Sequence, residues 1–213
     1  MFKDYKESVK SFMEHDPAAR NPLEIILLYP GFKALQCHKR AKWFLNHNMP
    51  FIARLISQRC ARKTGIEIHP GATIGKRVCI DHGHGIVIGE TTEIGDDVMI
   101  YQGVTLGGTG KDIGKRHPTI ENGVMIGAGA KVLGPITIGR NAKVAAGAVV
   151  VKDVEPNSTV VGVPGMTVKI DGERVDDLDQ MNIPDPVMTA IKSNLLKIEE
   201  LERKMKELEE DKK

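Results

Sequence analysis

From residue 66 onward, small and aliphatic residues fall in pairs two apart, and the pairs recur every six residues. The first train runs Ile66/Ile68, Ala72/Ile74, Val78/Ile80, then Ile86/Ile88, Thr92/Ile94, Val98/Ile100 and Val104/Leu106. A second runs Val124/Ile126, Ala130/Val132, Ile136/Ile138, Ala142/Val144 and Ala148/Val150. Two apart is the side-chain period of a strand, so both members of a pair face one way. Glycine often follows the pair, as at Gly75, Gly89, Gly95, Gly107, Gly127 and Gly139, where it permits a sharp turn. Short strand plus turn, repeated about a dozen times, predicts a parallel β-helix of very short faces. An amphipathic helix would space its apolar residues by three and four. A β-sandwich would need longer strands, with turns about every 8 to 12 residues.

The beat fails at two places. From Ile80 to Ile88 the step is eight, and from Leu106 to Ile120 it is fourteen, so residues are added in "DHGHG" and in "GGTGKDIGKRHPT". Stacked repeats have no need of such additions, which map to loops on one face, often the binding face. The ionisable residues of catalytic type gather there: Asp81, His82, His84, Glu90 and His117, with Glu67 and His69 nearby. With three strands per turn, residues about 18 apart stack. Glu67 lies fifteen before His82, which puts contact across adjacent coils within reach.

The flanks lack the beat. Residues 1–64 read as several short helices punctuated by Pro22, Pro30-Gly31 and Pro50, the last ending near Thr64-Gly65. Arg54, Arg59, Arg62 and Lys63 read as a solvated helix face. Beyond residue 170, Val187, Ile191, Asn194, Ile198, Leu201, Met205 and Leu208 alternate steps of four and three, with Lys and Glu between them. That is a heptad seam with a polar Asn194 in it, and about three heptads alone are marginal. The tail is therefore expected to pair with a copy of itself or dock on its own protein, unless it is a freely solvated charged helix. The predicted organisation is α+β: a small α-helical domain at 1–64, a parallel β-helix at 65–170, and a linker with a C-terminal helix at 171–213.

Composition narrows the partners. Thirty basic residues against 28 acidic ones, a net charge of +2, do not make the basic stripe of a nucleic-acid binder. Three cysteines with no CxxC pair support neither a disulfide framework nor a cysteine zinc site, and they suit the reducing cytoplasm. No apolar run approaches the roughly 20 residues that span a bilayer, and the start "MFKDYKESVK" lacks the apolar segment of a signal peptide. A cytoplasmic protein with no nucleic-acid and no membrane partner is expected.

Histidine takes and returns a proton near neutral pH, best when a carboxylate holds its second ring nitrogen. Which carboxylate meets which ring is open at this level. Histidines that only cap turns are the bland alternative. Zinc held by histidines between subunits is another; it is disfavoured because no pair shows the spacing that puts two rings on one short face and because Arg116 adjoins His117. "GGTGKD" fails the P-loop template, since Thr105 stands where the first glycine should be and Asp112 follows Lys111. A glycine-rich edge with a lysine still allows close approach of a pyrophosphate or an amide chain.

The string from "IHPGATIG" to "GPITIG", with DHGxGIVIGE and GGTGK…RHP inside it, resembles the serine O-acetyltransferases, hexapeptide-repeat enzymes that open the cysteine pathway. The resemblance runs from "EHDPAA" at 14–19 to "VGVPG" at 161–165. It implies a left-handed parallel β-helix, an exception to the usual crossover hand, in a homotrimer or a dimer of trimers with active sites between columns. It implies His82 as the base that takes the proton of the L-serine hydroxyl as that oxygen attacks the thioester of acetyl-CoA. Glu67 stands at the position of the family's partner carboxylate, an aspartate in its best-known members. Asp16, Asp81, Arg116 and His117 match serine-holding positions, Arg116 suited to the carboxylate and the aspartates to the ammonium. Glu90 is expected to support the cleft, and His117 with backbone N–H groups to polarise the carbonyl. The co-substrate would lie past Gly107, Gly108, Gly127, Ala128 and Ala146, with no permanently bound cofactor, no metal and no acyl-enzyme. Another acceptor, homoserine or a sugar hydroxyl, is the alternative on the same fold. Cys79, alternating to the outside of its coil, is expected to be a bystander, and His84 dispensable. The ending "EEDKK" in place of the longer members' isoleucine argues against a complex with the sulfhydrylase, and cysteine feedback is implied by the family alone.

Overall fold

The computed structural model describes residues 2–110, 113–174, 191, 193–198 and 201–205. Contacts divide the chain into two compact units, Met1–Asp176 and Asp177–Lys213.

The first unit opens with helices α1 (Phe2–His15), α2 (Pro22–Leu28), α3 (Pro30–Asn46) and α4 (Pro50–Thr64). The prolines that punctuate the sequence start these helices rather than merely separating them: α2, α3 and α4 each carry proline in the first turn, where the missing N–H costs nothing. Asn21 caps α2 by accepting from the Glu24 N–H at 3.0 Å. Gly65, at φ 72°, closes α4 with its N–H on the Ala61 carbonyl. Inside the bundle Tyr5, Phe12, Tyr29 and Phe32 meet edge to face, with ring centroids 5.2 to 6.1 Å apart. The exposed basic face of Arg54, Arg59, Arg62 and Lys63 is as the sequence indicates.

A parallel β-solenoid of about five turns follows. Its first sheet stacks β1 (Ile66–Ile68), β4 (Ile86–Ile88), β7 (Thr105–Gly107), β10 (Lys131–Leu133) and β13 (Val149–Val150). The second stacks β2 (Thr73–Ile74), β5 (Glu93–Ile94), β8 (Thr119–Ile120) and β11 (Thr137–Ile138). The third stacks β3 (Cys79–Ile80), β6 (Met99–Ile100), β9 (Met125–Ile126), β12 (Lys143–Val144) and β14 (Thr159–Val161), and then the antiparallel β15 (Met166–Ile170) and β16 (Glu173–Arg174). Nearly every inward pair member is buried, Ile80, Ile100, Leu106, Ile126 and Ile138 at no more than 1% exposure, while Ile74 and Ile136 stay partly open. Each such side chain adds about 1.5–3 kcal/mol of burial.

Register measures the breaks. Val87 pairs with Thr105 and Lys131 with Val149, 18 residues per coil. Ile66 pairs with Ile86, a coil of 20, and Thr105 with Lys131, a coil of 26. The surplus leaves the column at two different corners: residues 81–85 between the third and first sheets, and 108–118 between the first and second.

The helices and the column pack directly. Gly31 of α3 lies so close to Ile80 that a Cβ there would sit 2.1 Å from the Ile80 carbonyl oxygen, an approach only glycine allows. Cys79 does alternate outward, yet α1 and α3 lie against β3 and it is 1% exposed.

In the second unit the described backbone at 191, 193–198 and 201–205 is helical, and every described side chain on it is exposed. Val187 and Leu208 lie outside the described residues.

His38 of α3 is buried and, among the described residues, neither ring nitrogen makes a hydrogen bond of ordinary geometry, the nearby Ala72 carbonyl accepting the Lys42 ammonium at 2.8 Å. Burial, then the Lys42 charge, push its pKa down from 6.5 to about 4. The unfolded chain therefore takes up this proton first as pH falls. Stability is full above pH 6.5 and eroded down to pH 4, by about 3 kcal/mol. Urea unfolding across that window is expected to show this loss in the wild type and about one proton less of pH dependence in His38→Leu; equal slopes would contradict it.

Candidate active site

The turn after β3 sets His82. His82 (φ 55°), Gly83 (φ 85°) and Gly85 (φ 78°) all take the left-handed backbone conformation. For histidine that costs on the order of 1 kcal/mol or more, so the surroundings must impose it. Gly83 is pressed on the column end, where a Cβ would lie 2.4 Å from Ile66 Cδ1, and the Gly85 N–H donates to the Gly65 carbonyl at 2.8 Å. The result throws the His82 side chain outward, 75% exposed, with Nε2 3.9 Å from Asp81 Oδ1. His84 lays its ring over Gly65, whose added Cβ would meet the ring at 2.7 Å.

Asp16, just past α1, is locked at both oxygens: Oδ1 accepts the Ala18 N–H at 2.7 Å and Oδ2 the Tyr29 hydroxyl at 2.5 Å. The bond to Asp16, then burial and the charges of Asp16, Glu24 and Asp81, push the Tyr29 hydroxyl up to about 12. Burial, then the charges of Asp81 and Asp16, push the Cys79 thiol up to about 12 as well. Both carboxylates thus act on the same two groups, and α1, which ends just before Asp16, packs on β3, the strand that leads into Asp81 and His82. Two carboxylates there suit an ammonium group.

The 108–118 corner carries the opposite chemistry. His117 is 8% exposed. Its Nδ1 accepts the Thr91 N–H at 3.2 Å and lies 2.9 Å from Thr91 Oγ1. That hydroxyl oxygen already accepts the N–H groups of Arg116 and His117 at 3.1 Å, so its own proton goes to Nδ1. With two donors on Nδ1, the ring proton is assigned to Nε2. Burial, then the Arg116 charge, hold the His117 pKa below the ordinary histidine value. His117 is therefore a neutral N–H donor at neutral pH. Its ring fills the space over Gly89, where a Cβ would stand 1.9 Å from Cδ2, and Gly108 leaves an opening beside Nε2. Arg116 donates from Nη2 to Glu90 Oε2 at 3.0 Å, and Lys115 holds Glu93 and the Thr91 carbonyl.

The two corners flank the first sheet, whose width is on the order of 15 Å. Gly127, Ala128 and Ala146 lie at the His82 corner, in the turns after β9 and β12, and Gly107 and Gly108 at the other. Glu67 faces outward on β1 and accepts the Gln58 amide at 3.2 Å; among the described residues it makes no hydrogen bond to His82. Two described grooves of about 420 Å³ include none of the expected site residues. Thr91, Tyr29 and Gln58 carry no sequence signal, because their partners arrive from other coils or helices.

Comparison with known proteins decides the family. Residues 117–152 match the bacterial transferase hexapeptide family (six repeats). A serine acetyltransferase of Synechococcus elongatus is 52% identical over 208 residues, 98% of this chain and 85% of that one. One from Bacillus subtilis is 50% identical over 210 residues, 98% and 97% of the two chains. The chain belongs to the serine acetyltransferases. Two solved serine acetyltransferases have similar structures. That of Neisseria gonorrhoeae in complex with serine has a TM-score of 0.76 at 42% identity, covering 79% of this chain and 69% of its own. That of Brucella abortus in complex with coenzyme A has 0.78 at 40%, covering 79% and 68%. This serine acetyltransferase is accordingly an acyltransferase, and none of its described helices is long and apolar enough to cross a membrane.

Thr91 sets the His117 ring. Thr91→Val removes the hydroxyl that donates to Nδ1 and accepts from two backbone N–H groups, and is expected to lower kcat/KM about tenfold or more. Thr91→Ser should restore it. An unchanged rate in Thr91→Val, with the solenoid folded by circular dichroism, would contradict the assignment.

Proposed function

We propose that the enzyme moves the acetyl group of acetyl-CoA directly to the hydroxyl of L-serine, giving O-acetyl-L-serine and CoA for cysteine biosynthesis in the cytoplasm. The site is assembled from the His82 corner of one subunit and the His117 corner of the next in a homotrimer, alone or as a dimer of trimers. The observation that carries this is the division of charge. A zwitterionic amino acid needs anions for its ammonium and a guanidinium for its carboxylate, and the chain holds these at separate corners. The relatives solved with serine and with coenzyme A support both substrates.

Asp16 and Asp81 take the ammonium, and Arg116, steadied by Glu90, takes the carboxylate through its remaining N–H groups. His82 removes the hydroxyl proton as the serine oxygen attacks the thioester carbon. The carbonyl oxygen gathers charge and is met by the Nε2–H of His117 and by backbone N–H groups, a type of contact worth about 10²–10³ in rate. Collapse breaks the C–S bond, and the proton on His82 goes to the departing sulfur. Glu67 holds the other nitrogen of His82, exchanging its Gln58 partner to do so. The pantetheine arm follows Gly107, Gly108, Gly127, Ala128 and Ala146, where small residues leave room.

Thiol release from acetyl-CoA with L-serine is expected to fall about 10²–10⁴-fold in His82→Ala, with sedimentation unchanged. Turnover retained by that variant would overturn the role. L-homoserine and galactosides should be poor acceptors beside L-serine; a preference for either would favour the other acceptor class.

A further inference from the structure

We infer that the C-terminal helix is a parallel self-association segment, in which the helices of neighbouring subunits wind together through the Ile191, Asn194, Ile198, Leu201 and Met205 seam. On the described helix Ile191, Leu195, Ile198, Leu201 and Met205 are each 45 to 61% exposed. An isolated helix of this length is marginal in water and gains its stability by covering an apolar face. Steps of three and four place Ile191, Ile198 and Met205 in the a row of a heptad and Asn194, Leu201 and Leu208 in the d row.

The flanking charges choose the occupant and its direction. In this register Lys197 and Lys204 fall at g, and Glu202 and Glu209 at e. A parallel neighbour brings each g residue against the e residue five positions on, so Lys197 meets Glu202. An antiparallel neighbour would set lysine against lysine and glutamate against glutamate. Only another copy of the same segment, pointing the same way, supplies this complement at every position. Asn194 adds register, since a polar residue in the seam is best matched by its own counterpart. Leu195 at e widens the apolar stripe beyond the a and d rows. The strand number rests on the trimer proposed above, whose rotational symmetry leaves all C-termini at one end.

Full-length Leu201→Cys and Arg203→Cys, at d and f respectively, are compared under oxidised glutathione, with the wild type as background. Leu201→Cys is expected to form covalent dimers at least about tenfold faster than Arg203→Cys, because tethered seam positions meet at millimolar effective concentration. Lys197→Glu should slow that link severalfold, and adding Glu202→Lys should restore it. Absent or equal linking of the two cysteine variants overturns the coiled coil, and failure of the charge reversal to restore it overturns the parallel pairing. Sedimentation of the same samples reports the trimer separately, so a trimer without the link rejects this inference and leaves the active-site reading standing.

Discussion

Each coil of the solenoid must return its strands to register on the coil beneath, because the backbone of a parallel ladder is satisfied only by the neighbouring turn. Eighteen residues close a turn, as between Val87 and Thr105 or Lys131 and Val149. Any residue beyond that number has no partner in the ladder and is expelled at a corner. The chain uses this constraint twice, adding two residues to one coil and eight to another while the inward pairs on either side keep their places.

What is expelled carries Asp81, His82, Arg116 and His117. The smaller surplus carries three left-handed backbone positions, Gly83 among them pressed on Ile66, and His82 stands away from the column. The larger one returns Arg116 and His117 over Glu90 and Thr91, where a single hydroxyl sets both their backbone and the tautomer of the ring. Helix α1 adds Asp16 to the first corner through a fixed bond to Tyr29. The core thus supplies rigidity, and the extruded segments place a carboxylate and an exposed histidine on one side and cations and a neutral donor on the other. In one chain these halves are separated by the first sheet.

Much of this was readable in advance. Period-two pairs such as Ala72/Ile74 and Ala142/Val144 report the interior directly, since one face of each strand points into the column, and the breaks in spacing located both corners at which the chain leaves it. The prolines at 22, 30 and 50 marked the helices. Contacts between coils were less legible: Thr91 meets residues 25 and 26 positions later only because of the enlarged coil. Cys79 reads as outward by alternation and is covered by helices whose docking no local pattern encodes. Glu67, the expected partner of His82, is bonded to Gln58 from α4.

The claim on which the account turns is that one active site draws its two corners from two subunits. Complementation tests it most directly. His82→Ala and Arg116→Ala chains, each inactive alone, are mixed in equal amounts, unfolded, and refolded together. Random reassembly into a cyclic trimer leaves one site in about four with both corners intact, so about a quarter of wild-type activity should return. A mixture no more active than its components would show that each chain builds its own site, and would contradict the account.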